Sequence, residues 1–347
     1  MPRLYSHAFV LLAGLLLGVL SLVQPVQGQD ATRRGGAPKF EFPAGCEIGV
    51  DCWFFAYMDH DPSDSYRDRM CGLRTYNAHK GTDVAPIDPE APIAVIAAAD
   101  GVVLGVRDGM DDSVMQVRDE TRMAAQCGNG VRLDHGNGWT SQYCHLQRGS
   151  VSVQRGARVT AGQILGWIAS SGRSELRHLH FQVERDGTPI DPFNGGAPSS
   201  PAQCDVTGMT DQALWQAAER QEISGYTPTS IYRGGITTGV PDREQVMFEG
   251  YPDTGSVNSD ALVGYVVLLG VISGATLDML ITGPDGQRVF ENRRTLDQDR
   301  ARLFTFAGTR RTTAAWMPGS YQVRLVVRGK GPDGDFEIEA ERRIVLE

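Results

Sequence analysis

Val131-Arg132-Leu133-Asp134-His135-Gly136-Asn137-Gly138-Trp139-Thr140-Ser141-Gln142-Tyr143-Cys144-His145 reads as a β-hairpin, with strands at 131–134 and 139–145 joined by His135-Gly136-Asn137-Gly138. Asn-Gly is a strong signal for a tight hairpin turn. Folding about it brings Cys127 opposite Cys144. Outward from this hairpin, residues 93–98, 102–106, 164–169 and 180–184 are further short β-type runs punctuated by Gly and Asp. From His79 to about Phe193 the pattern is therefore that of an antiparallel all-β domain. The stretch 108–126, with its Asp, Met and Arg, interrupts the pattern and reads as an insertion loop.

Beyond the domain, Gly-Gly-Ala-Pro-Ser-Ser-Pro opens a linker at 196–208. Residues 210–221 predict one short helix, with Thr210 as N-cap and Ala213, Leu214, Ala217 and Ala218 at helical spacing. From about 245 a second β region begins. Strand-like runs at 262–269, 276–282, 302–306, 320–327 and 336–345 are separated by turns such as Gly283-Pro284-Asp285-Gly286 and Gly331-Pro332-Asp333-Gly334. Short strands at such spacing predict a β-sandwich of immunoglobulin type. This half contains no histidine and no catalytic cluster. On the other side of the domain, 29–45 reads as a flexible lead-in and 46–76 as an irregular segment tied by cysteines.

The chain has 347 residues, room for two ordinary domains, and a formal charge of −9 without a dense Lys/Arg block. A nucleic-acid partner, which favours a basic face, is not expected. Arg3, the apolar run 8–23 and Val26-Gln27-Gly28 have the layout of a cleaved secretory signal. The run is shorter than the roughly 20 residues a spanning helix needs, so no stable membrane anchor is expected and the site of action is periplasmic or secreted. Cys46, Cys52, Cys71, Cys127, Cys144 and Cys204 are an even set, which in an exported chain favours disulfides. A thiolate zinc site needs closely spaced Cys pairs of the CxxC kind, and none is present.

Four histidines fall into two motifs and one strand end: His79-Lys80-Gly81-Thr82-Asp83, His178-Leu179-His180, and His145. Gly81, Thr82, Val84 and Pro86 disfavour a helix. In an extended chain, residues an even number apart share a face, so His79 pairs with Asp83 and His178 with His180. Imidazole and carboxylate together suit zinc, and three protein ligands plus water make a catalytic site. One strand can supply His79 and Asp83, and a neighbour one histidine of the pair. A lone His-x-His is equally a surface pair; it is the coincidence of both motifs in one domain that points to a metal. His135, in a turn, and His60, in a polar loop, take structural readings.

These segments resemble the lysostaphin-like (LytM, M23) zinc metallopeptidases. The matching stretches also include Ile96-Ala97-Ala98-Ala99-Asp100-Gly101-Val102-Val103, Tyr143-Cys144-His145-Leu146, Gly162-Gln163-Ile164-Leu165-Gly166 and Ile190-Asp191-Pro192-Phe193. The resemblance implies zinc held by His79, Asp83 and His180, with His145 and His178 acting on water and transition state. His178, two residues from a ligand, is the preferred base. The implied substrate is peptidoglycan, cut in its stem or cross-link peptides. Glu175-Leu176-Arg177 departs from the small residue and Pro more usual before His-x-His.

The expected partition is a signal peptide at 1–28, a cysteine-bearing lead-in at 29–76, a peptidase domain at 77–195, a linker with a short helix at 196–244 and the immunoglobulin-like β-sandwich at 245–347. The last is expected to meet a cell-wall or protein partner. Two other readings compete. A non-catalytic LytM-type module that activates a cell-wall amidase would usually lack zinc ligands, and all three are present. A lipoyl-type carrier hairpin, suggested by Val159-Thr160-Ala161-Gly162-Gln163-Ile164, lacks a Lys at a hairpin tip.

Overall fold

The structure, a computed structural model, describes residues 36–112, 125–198, 210–218 and 225–347. The expected signal segment, most of the insertion, part of the linker and Cys204 lie outside the described residues. The chain is nearly all β, as its pattern predicts. In the first half the strands are β1 (Cys52–Ala56), β2 (Thr82–Pro86), β3 (Ala94–Ile96), β4 (Gly101–Arg107), β5 (Asn129–Gly136), β6 (Trp139–Leu146), β7 (Arg158–Val159), β8 (Ile164–Trp167), β9 (Leu179–Arg185) and β10 (Thr188–Ile190). Eight of them form one antiparallel sheet in the order β1-β2-β9-β6-β5-β4-β7, with β10 on β9, while β3 and β8 pair separately. The β5–β6 hairpin turns at Asn137 (φ 53°) and Gly138 (φ 80°), both positive as a two-residue turn of this kind requires. Cys127 and Cys144 are bridged across it, with Cα atoms 4.8 Å apart.

Three expectations about the flanks need correction. Residues 29–45 are not uniformly a flexible lead-in: Phe40, Phe42, Pro43 and Ala44 are buried. The segment 46–76 is tied by a Cys46–Cys52 bridge, and Cys71 is also disulfide-bonded, but it contributes β1 to the main sheet. The helix expected at 210–221 does not start at Thr210: residues 210–216 are not helical, 217–218 are, and 219–221 lie outside the described residues. Ala213, Leu214 and Trp215 are consecutive and all buried, and Trp215 pairs with Phe40 in a parallel bridge. The Leu214 carbonyl accepts from Phe40 N–H, so tertiary pairing takes the backbone groups a helix would use.

The second half contains β11 (Ser230–Thr237), α1 (Arg243–Phe248), β12 (Thr254–Gly255), β13 (Ala261–Val271), β14 (Thr276–Thr282), β15 (Arg288–Thr295), β16 (Arg300–Arg310), β17 (Gly319–Gly331) and β18 (Gly334–Leu346). They form a three-stranded sheet, β11-β13-β16, and a five-stranded one, β12-β18-β17-β14-β15. Leu262, Val266 and Leu268 of the first share a core with Met279, Val323 and Leu325 of the second. β11 lies inside the expected 196–244 linker, so that stretch is in part a sheet strand. Leu269 of β13 packs with Phe55, Ala56, Ala85 and Leu176, joining the two halves.

Candidate metal centre

β2 and β9 are antiparallel neighbours with Asp83 opposite His180, and cross-strand partners share a face. His79 reaches the same place across Gly81. A Cβ at Gly81 would stand 2.4 Å from the Phe181 carbonyl oxygen and 2.9 Å from the His180 ring, so the chain passes there only as glycine. His79 Nε2 lies 3.0 Å from Asp83 Oδ1, His180 Nδ1 lies 2.9 Å from the same oxygen, and the two nitrogens are 3.1 Å apart.

The outward nitrogens fix the tautomers. His79 Nδ1–H donates to the Tyr57 carbonyl at 2.6 Å, since a carbonyl only accepts. His180 Nε2–H donates to Gln182 Oε1 at 3.3 Å, and Gln182 is itself turned by donating to Glu184. Both inward nitrogens then carry lone pairs directed at each other and at a carboxylate oxygen. Burial pushes the Asp83 carboxyl up, but the imidazoles of His79, His178 and His180 around it hold it well below the usual carboxylate range. With both rings neutral, three lone-pair donors converge, an arrangement a divalent cation satisfies, and two imidazoles plus a carboxylate suit zinc. His79, Asp83 and His180 can therefore hold a metal ion, their ligand atoms all lying within 4.8 Å of one another.

His145 and His178 flank this group, with ring centroids 4.5 Å apart. His145 adopts φ +65°, an uncommon conformation for a non-glycine residue. Cys144 lies opposite His180, so regular alternation would send His145 to the other face; the left-handed backbone turns it back towards the histidines. Its Nδ1–H donates to the Ser171 carbonyl at 2.7 Å. His178 Nδ1–H donates to the Leu176 carbonyl at 3.0 Å, and its Nε2 faces Asp83 Oδ1 at 3.8 Å. Burial pushes both imidazoles down, His145 furthest, helped by its histidine neighbours. Each thus offers a neutral ring with an unprotonated Nε2.

All five residues singled out in the sequence meet in one site. His135 and His60 do not: His135 bonds the Asp100 carbonyl and Ser141 Oγ, and His60 pairs with Asp191 at 2.7 Å. Supporting groups escaped the sequence reading. Tyr76 stacks on His79 at 4.3 Å, and the Tyr57 and Ser171 carbonyls orient His79 and His145. Only Gln182 carried a signal, being two residues beyond His180 and so on its face. Beside the loop before His178, a cavity of about 430 Å³ opens between the halves, lined by Trp53, Glu90, Arg177, Tyr232 and Arg233 among others.

Residues 77–192 match Peptidase family M23. Over 129 residues the chain is 31% identical to "DD-carboxypeptidase/endopeptidase Mpg" of Neisseria meningitidis serogroup B, covering 37% of this chain and 25% of that protein. "Peptidoglycan DD-endopeptidase ShyA" of Vibrio cholerae is 31% identical over 121 residues, 35% of this chain and 23% of that one. "Lysostaphin" of Staphylococcus staphylolyticus is 28% identical over 194 residues, 52% and 38% respectively. The chain thus spans a quarter of the length of the first relative and 38% of the last. What the chain shares with these proteins is thus a segment, 77–192, that matches Peptidase family M23.

Proposed function

We propose that this chain is an exported zinc metalloendopeptidase that hydrolyses peptide bonds of bacterial peptidoglycan, with zinc held by His79, Asp83 and His180. The observation that carries the reading is the convergence of two imidazole lone pairs and one carboxylate, each imidazole turned inward by a bond on its far side. Bound there, zinc supplies a Lewis acid that acidifies water and polarises a carbonyl. His178, with its proton on Nδ1, presents Nε2 to accept the proton of the attacking water and return it to the leaving amine. His145, with its Nδ1–H held by the Ser171 carbonyl and its ring beside that of His178, acts with it on the water and the transition state. The cell-wall substrate is supported by the peptidoglycan endopeptidase among the relatives. Export is supported by the signal layout and by the disulfides. The second half, read as an immunoglobulin-like sandwich, is suited to a wall polymer or protein partner.

Metal analysis and digestion of purified peptidoglycan test this together. The mature protein should carry about one zinc per chain. His180→Ala should lose metal and cleavage alike, and persisting cleavage would overturn the assignment. His178→Ala should keep the metal and lose turnover; losing the metal there would exchange the roles of the two motif histidines. A non-catalytic amidase activator would instead stimulate an amidase equally well in both variants.

A further inference from the structure

His178 owes its orientation to a carbonyl that no strand holds. Its Nδ1–H donates to Leu176, and residues 174–177 lie outside every strand. Within the loop, the Ser174 hydroxyl donates to the same carbonyl and lies 3.2 Å from His178 Nδ1. From the first half, Arg177 donates to the Ile168 carbonyl and His178 N–H to the Ala169 carbonyl. A further restraint comes from the other half of the molecule. Leu176 is buried against Leu269 of β13, in a cluster with Phe55, Ala56 and Ala85. Leu269 lies opposite Arg302 of β16, so the two side chains leave the sheet on one face. Arg302 Nη1 is 2.8 Å from Glu175 Oε2. Two successive residues of the loop are thus gripped by two cross-strand partners. A third contact is less direct. The β11–β13 register shifts between Ile231 and Arg233, and such a bulge re-aims the residue it contains, Tyr232. The Tyr232 ring meets Phe55 edge-on at 5.7 Å, and Phe55 lies 6.1 Å from the His178 ring.

We infer that Leu269 and Arg302 are positioning residues for His178: the β13–β16 face fixes Glu175 and Leu176, and through the Leu176 carbonyl it sets where His178 Nε2 points. The inference rests on the reading of His178 as a reacting group. It gives Glu175 and Leu176, two of the three residues of Glu175-Leu176-Arg177, a physical role, since part of the restraint on this loop comes from an external sheet. The ion pair is partly exposed, with side chains 29% and 47% accessible, so its contribution to stability is small and Leu269 carries the packing. What the pair supplies is direction.

The test uses the full-length, metal-loaded chain. Leu269→Ala should lower kcat about ten- to hundredfold, the cost of a misplacement of about an ångström, with KM and bound metal unchanged. Leu269→Ile, nearly equal in volume, should recover most of it. Glu175→Arg and Arg302→Glu should each lower kcat, and their combination should restore it. The Nδ1 proton resonance of His178, identified by its loss in His178→Ala, should shift or exchange faster in Leu269→Ala. An unchanged resonance with unchanged kcat overturns the inference. So does a fall in kcat that only follows metal loss. If Leu269→Ala does not fold, the charge exchange decides, and failure of the combination to recover overturns the inference. A shifted resonance with unchanged kcat upholds the positioning and sinks instead the reading of His178 as a reacting group.

Discussion

The two halves of the described chain bury polar groups differently. In the first, Asp59, Asp68, Arg69, Arg74, His79, Asp83, His145, His178 and Asp191 are all buried. From Ser230 onward, the only polar residue buried among the described residues is Thr237. There the charged groups pair at the surface, as in Asp278–Arg293 and Arg324–Glu339. Removing a charge from water costs several kcal/mol even after relaxation. A half that retains so many has a use for them, and the hydrogen bonds show which. The Tyr57 carbonyl accepts from both His79 and Thr75, and Asp59 accepts from Ala78 N–H immediately before His79. Arg69 is the extreme case: its guanidinium nitrogens have no hydrogen-bond partner among the described residues, and the group lies 4.4 Å from the Phe193 ring centroid, with Tyr57 and Tyr226 nearby. The second half is a packed apolar core with a charged exterior, the economy of a scaffold.

If that contrast holds, the largest stability effect should come from the second half while the metal stays in place. Leu325, fully buried on β17 where the two sheets meet, is the point to strike. Leu325→Ala should destabilise by about 2–5 kcal/mol through lost transfer energy and a cavity. Thermal unfolding would show the loss, while metal content below the transition should remain that of the parent chain. Metal loss in step with stability would mean that the site depends on the whole core and would erase the contrast.

The complementary change lies in the first half and should spare stability while weakening the site. Gln182→Ala removes the acceptor that holds His180 Nε2–H. Outer partners of this kind are worth about 10–100-fold in metal affinity. Competition with a chelator should show that loss, with the melting temperature of the metal-free chain nearly unmoved. An equal fall in metal-free stability would make Gln182 a structural residue.

The legibility of the sequence follows the same division. The hairpin at Asn137-Gly138 and the alternation of the strands are local signals, and they suffice for the all-β architecture. The meeting of His79, Asp83, His145, His178 and His180 was also legible, because even spacing in an extended chain and the known order of motifs do not depend on distant contacts. What escaped was set by partners far along the chain. Trp215 pairs with Phe40, so the expected helix does not begin at Thr210. β11 joins β13 although its sequence, Ser-Ile-Tyr-Arg-Gly-Gly-Ile-Thr, looks like linker. The positive φ of His145 has no local signal either, since only the surrounding hairpin and the Ser171 loop hold it.

The smallest effect tests whether surface charge in the second half matters at all. Asp278 accepts from Arg293 and Arg328, and these partners, the Arg293 hydrogen bond foremost, hold its carboxyl below the usual range. A depressed folded pKa means that the stabilisation is fully present above the unfolded value of about 3.9 and is lost as pH falls through the lower folded one. Asp278→Asn should therefore lower the melting temperature slightly at neutral pH, more at low salt than at high salt, because exposed pairs are screened. The gap should close as the pH is taken below the carboxylate range, where the parent side chain is also neutral. A gap that persists in acid would show that the residue acts through packing or neutral hydrogen bonds. The exterior of the second half would then be more like the interior of the first than its exposure implies.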